Sequence, residues 1–70
     1  MKILFVSHSP TQTVVTVKKA GDINTPNEYQ THLYNHDGGY TEKWKITNTF
    51  EEAAYMHKQL CQKCYITVNM

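Results

Sequence analysis

Residues 48–64, N-T-F-E-E-A-A-Y-M-H-K-Q-L-C-Q-K-C, form the one segment whose apolar spacing fits a helix, and they limit what the rest of the chain can build. Thr49 is a suitable N-cap. Glu52, three residues on, completes a capping box in which each side chain can satisfy the other residue's free amide. Glu51 and Glu52 place negative charge at the positive end of the helix dipole, and Lys58 and Lys63 place positive charge in its second half. At about 100° per residue, Phe50, Ala53, Ala54, Met56, His57, Leu60, Cys61 and Cys64 fall on one side. Glu51, Glu52, Tyr55, Lys58, Gln59, Gln62 and Lys63 fall on the other. A helix with one apolar stripe must lay it on something, and the remainder of the chain reads as strands.

His57, Cys61 and Cys64 share that stripe and allow two readings. One is a metal site, because Cys-x-x-Cys is half of a common zinc motif and His57 lies one turn before it. The other is a pair of small core thiols beside a hydrogen-bonded histidine, since free cysteine is among the most buried residue types. The second is favoured: with two cysteines in all, a fourth ligand would have to be His8, His32 or His36. A thioredoxin-like role fits less well, because that motif acts at a helix N-terminus and here it sits at the C-terminal end. No cofactor is expected.

Seventy residues make one domain, 1–70. A chain this short buries only about 60% of its unfolded surface, and self-association is one way to add stability. The net charge of +1 argues against a strongly acidic DNA mimic and against a broadly basic nucleic-acid binder. All seven cations are lysine, so the bidentate reader of guanine and phosphate is missing. The apolar run Ile3, Leu4, Phe5, Val6 is too short for a signal peptide, no segment reads as transmembrane, and two cysteines three apart make no disulfide framework. The expected setting is the cytoplasm.

Residues 2–7 are apolar at successive positions, as in a central strand covered on both faces or one flanked by a partner chain. His8, Ser9 and Pro10 make a turn. Residues 11–19 are rich in β-branched side chains, with Thr13, Val15 and Val17 on one face and Val14, Thr16 and Lys18 on the other. Residues 20–28 form the longest irregular stretch, and loops of that length in small domains are often functional. Residues 29–36 and 40–48 form a hairpin about Asp37, Gly38 and Gly39. Pairing Asn35 with Tyr40 gathers Tyr29, Leu33, Tyr40, Trp44 and Ile46 on one face. It leaves Gln30, His32, Tyr34, Thr41, Lys43, Lys45 and Thr47 on the other. Burial selects this register over the one-residue slip. On such a strand His32 and His36 stand roughly 13 Å apart, too far to share one zinc. Residues 65–68 read as a last strand.

The expected fold is α+β: a mostly antiparallel sheet of four to five strands, in sequence order β-β-β-β-α-β, with one helix packed on one face. The opposite face stays open. Its candidate protein-contact residues are His32, Tyr34, His36, Lys43 and Lys45, joined by Asp22, Asn24, Asn27 and Glu28 of the long loop. Without paired carboxylates, a glycine-rich phosphate loop or an ordered Cys-His pair, the chain does not read as an enzyme. Tyrosines suit an interface anchor. An exposed sheet with an aromatic among lysines also allows single-stranded nucleic-acid binding, the weaker alternative with no arginine present. A zinc domain built on Cys61 and Cys64 is the second alternative.

In length, in its Met1 start without a targeting segment, in its Thr- and Tyr-rich meander and in its one late helix, the chain resembles small phage-encoded inhibitors of host machinery, anti-CRISPR proteins among them. The resemblance implies a stoichiometric, non-enzymatic inhibitor of a host protein or complex, acting in the host cytoplasm, with a homodimer as a further possibility. It brings no motif, so it assigns no residue a role.

Overall fold

The computed structural model describes residues 2–19, 21 and 27–70, with Tyr40 as backbone only. Strands β1 (Lys2–His8), β2 (Gln12–Lys19), β3 (Glu28–Asn35) and β4 (Tyr40–Thr47) precede one helix, α1 (Phe50–Lys63). The strands pair antiparallel in the order β1-β2-β3-β4, and α1 packs on one face of the sheet. This is the expected α+β arrangement. Among the described residues no helix is long and apolar enough to cross a membrane.

Helix α1 begins where its cap chemistry places it. Thr49 is extended, its Oγ1 accepts the Glu52 amide at 3.1 Å, and its carbonyl accepts the Ala53 amide at 3.0 Å. The second half of the box differs from expectation: the Glu52 carboxylate accepts the Thr49 hydroxyl at 3.0 Å rather than an amide. Ala53, His57, Leu60 and Cys61 are buried. Leu60 and Cys61 join Val14 and Ile66 in the core, with Leu33, Trp44, Cys64 and Val68 packed against it. Phe50 is half exposed but lies 5.5 Å, centroid to centroid, from Phe5.

The two hairpin turns follow their sequence signals. Ser9 Oγ accepts the amides of Thr11 and Gln12, which closes the β1–β2 turn. In the β3–β4 turn Gly38 and Gly39 have φ of 90° and 64°, the left-handed region that only glycine enters without strain. Asn35 pairs with Tyr40, as burial demanded.

Further along that hairpin the register shifts between Thr31 and His32, so β4 carries an extra residue at Trp44. Before this bulge the expected faces hold: Leu33 and Trp44 lie under the helix. After it they exchange. Ile46 pairs with Gln30 on the open face and is 47% exposed, whereas Thr47 pairs with buried Tyr29 and is itself buried. Lys45 aligns with Thr31, which lies on the helix side. Ile46 is therefore not core, and Lys45 and Thr47 do not belong to the open face. Strict alternation cannot foresee this, because one extra residue flips everything beyond it.

Strand β1 is an edge, not a central strand. Its continuous apolarity has another cause. A register shift between Ile3 and Phe5 breaks the alternation, so Phe5 and Ser7 pair with the helix-side residues Thr16 and Val14, while Ile3 and Val6 pair with Val17 and Val15 on the open face.

The expected final strand does not form: residues 65–68 have no strand pairing. The helix instead ends in a Schellman turn. The Ile66 amide bonds the Cys61 carbonyl at 2.8 Å and the Tyr65 amide bonds Gln62 at 3.3 Å, with Tyr65 left-handed at φ 57°. The reversal buries Ile66 and carries the tail to β1, where Asn69 Nδ2 donates to the Val6 carbonyl. Tyr65 is 95% exposed, so its ring contributes no packing to offset a conformation that costs a non-glycine residue about 1 kcal/mol or more. Tyr65→Gly should stabilise the fold by about 0.5–1 kcal/mol, after the added freedom of the unfolded glycine is subtracted. A urea midpoint that fails to rise would rule this out.

Candidate binding face

The sheet face away from α1 is built in rows, one residue from each strand. Ile3, Val17, Gln30 and Ile46 make one row; Val6, Val15, His32 and Lys43 the next; His8, Thr13, Tyr34 and Thr41 the third. Aliphatic side chains occupy the first two rows of the β1–β2 half, while β3 forms a polar spine. Along that spine Gln30 Nε2 donates to the Glu28 carboxylate, and His32 Nε2 bonds Gln30 Oε1 at 3.0 Å. A carboxylate only accepts, so the Gln30 amide nitrogen must face Glu28 and its oxygen must face His32. The proton of neutral His32 is thereby assigned to Nε2. Burial, and then the charge of Lys43 beside it, hold His32 below the ordinary histidine range.

His36 closes the hairpin end of this face. Its Nδ1 faces the Pro10 carbonyl at 3.2 Å and so carries the proton, leaving Nε2 to accept the Thr13 hydroxyl at 2.7 Å. Its ring lies 5.5 Å from that of Tyr34. His32, Tyr34, His36 and Lys43 are thus brought together on the open face, and Lys45 is not. Of the loop candidates, Glu28 belongs to the spine, and exposed Asn27 accepts the Gly21 amide at 2.9 Å. Asp22 and Asn24 lie outside the described residues. Ile3 and Ile46, 63% and 47% exposed, are apolar residues of this face that sequence reasoning missed. For Ile3 the signal is the unbroken apolar run through Leu4, which fits no strict alternation; for Ile46 the sequence carries none.

The stripe residues His57, Cys61 and Cys64 do something else. His57 is fully buried, with Ser7 Oγ 2.8 Å from Nε2 and Thr16 Oγ1 2.8 Å from Nδ1. Thr16 also meets Thr31 at 3.3 Å, and Ser7 accepts the Asn69 amide at 2.8 Å. With both nitrogens engaged by hydroxyls, His57 presents no free lone pair to a metal. Burial pushes the Cys61 thiol up; a hydrogen bond with Ser7 partly offsets this and Cys64 adds to it. A neutral, buried thiol is a poor ligand and a poor nucleophile. Among the described residues no three His, Cys, Asp or Glu side chains gather at metal-ligand spacing. Ser7 is bonded to a histidine fifty residues away and takes no part in the His8–Ser9–Pro10 turn. This cluster is a structural tie among helix, sheet and tail.

No known protein family, curated protein or solved structure matches the chain.

Proposed function

We infer that this chain is a small non-enzymatic binding module whose working surface is the uncovered sheet face, and that it acts by stoichiometric occupancy of a host protein, as an inhibitor or modulator. The observation that carries this reading is the composition of that face: exposed Ile3, Ile46 and Tyr34 around a spine in which Gln30 bonds Glu28 and His32 bonds Gln30. Apolar side chains beside polar groups that already hold an internal partner cost less to dehydrate than a bare polar surface, and the remaining polar atoms are free to bond across a protein interface. Lys43 is the one lysine beside His32 and Tyr34, a thin electrostatic footing for a nucleic-acid strand.

The test is co-purification from bacterial lysate with the wild-type chain and with Tyr34→Ala and Lys43→Glu variants, followed by calorimetry on the protein recovered. A one-to-one complex with the wild type, weakened at least tenfold by either substitution, supports the reading. Retention of single-stranded DNA or RNA that salt abolishes, with no protein partner recovered, overturns it.

A further inference from the structure

We propose that the free chain dimerises by docking its uncovered face onto the same face of a second copy, about a two-fold axis running along the strands. This rests on the reading of that face as a docking surface and names what occupies it when no target is bound.

The rows give the reason. A rotation about the strand direction places β1 over β4 and β2 over β3 of the other copy. Ile3 then meets Ile46 of the second copy twice, once at each edge, and the exposed apolar area of both residues is covered. Val15 comes to lie over His32, while Val17 and Gln30, already buried at 6% and 8% exposure, face each other and add little area. Gln30 and His32 each hold a side-chain hydrogen bond along β3, which lowers the cost of covering them; His32 Nδ1 keeps a lone pair that must stay in reach of water or of a group on the other copy. Charge selects the same axis. An axis across the strands would set Lys43 against Lys43 and His32 against His32. The axis along the strands keeps the two Lys43 side chains at opposite edges, about 14 Å apart laterally at three strand spacings. There each ammonium can reach past the neighbouring edge strand to water.

The area sets the strength. Four strands of seven or eight residues offer a face of about 19 by 23 Å, or about 400–450 Å² per copy. That is roughly half of what a standard stable interface buries per partner. The dimer is therefore a weak one, populated as concentration rises.

Sedimentation of the full chain from micromolar to millimolar concentration tests this. The wild type should pass from monomer to dimer. Ile3→Glu and Ile46→Lys, both at exposed positions, should each weaken association at least tenfold. The double variant Ile3→Glu/Ile46→Lys should regain it, because each new carboxylate would face the new ammonium of the other copy. A wild type monomeric at millimolar concentration overturns the proposal. So does a dimer that neither single substitution weakens, or a double variant no better than the singles. Failure here is separable from failure of the binding reading. A monomeric wild type whose target capture still falls with Tyr34→Ala sinks only the dimer. A dimer whose capture is indifferent to that substitution sinks only the target-binding reading.

Discussion

His57→Ala should cost about 3–5 kcal/mol of folding free energy, the range for emptying a large buried side chain. For 70 residues the whole stability is of order 3.5–10 kcal/mol, so the variant should be partly or wholly unfolded at room temperature. The loss has two sources. The ring is fully buried and lies 5.6 Å, centroid to centroid, from Phe5, so truncation leaves a cavity beneath the helix. It also leaves Ser7 and Thr16, each fully buried, without the nitrogen it bonds. Since Ser7 is also the residue that accepts the Asn69 amide, the tail should loosen with the helix. His57→Gln keeps part of the volume and one hydrogen-bonding arm, and should recover part of the loss. Urea denaturation reads both. An alanine variant that unfolds cooperatively within about 1 kcal/mol of wild type would mean that the hydroxyls find other partners and that the tie is not structural.

The contrast between His57 and the open face explains what could be read from the sequence. Local rules carried the helix: the Thr49 cap, the Glu51 and Glu52 charges and the 3.6-residue stripe all concern residues within a few positions of one another. The same holds for the Ser9 turn, the Gly38–Gly39 turn and the pairing of Asn35 with Tyr40. The failures all involve longer reach or a broken period. Trp44 looks inward from either register, but nothing in W-K-I-T announces that the strand gains a residue there, so Ile46, Lys45 and Thr47 went to the wrong faces. Ser7 reads only as the last residue of the first strand, because its partners, His57 and Asn69, are fifty and sixty-two residues away. The β-branched run after Tyr65 favours a strand. A left-handed residue without the usual glycine turns it into a tail that packs Ile66 and bonds β1 through Asn69. Stripe membership correctly put His57 and Cys61 in the interior; what a buried histidine does there depends on which hydroxyls the sheet brings to it.

Acid should weaken the fold through the same residue, well before ordinary carboxylates titrate near pH 4. Burial holds His57 below the ordinary histidine range. The side chains that meet its ring, from β1 and β2, are Phe5, Ser7 and Thr16, none of which carries a charge to stabilise an imidazolium. The unfolded chain therefore takes up a proton as pH falls through about 6.5, while the folded chain does not until its own lower pKa is reached. In that window the unfolded state binds more protons, so stability rises with pH. It is fully present above about 6.5 and is lost on acidification at up to about 1.4 kcal/mol per pH unit. His32 is depressed as well, by burial and then by Lys43, and acts in the same direction; being partly exposed, it gives the smaller share. Urea midpoints taken from about pH 7.5 down to about pH 5 should fall steadily, and His57→Gln, which cannot take up that proton, should flatten most of the slope. Midpoints that stay level in the wild type, or a His57 imidazole resonance that titrates near 6.5 in the folded protein, would show that this ring is hydrated and that the hydroxyl cage around it is open.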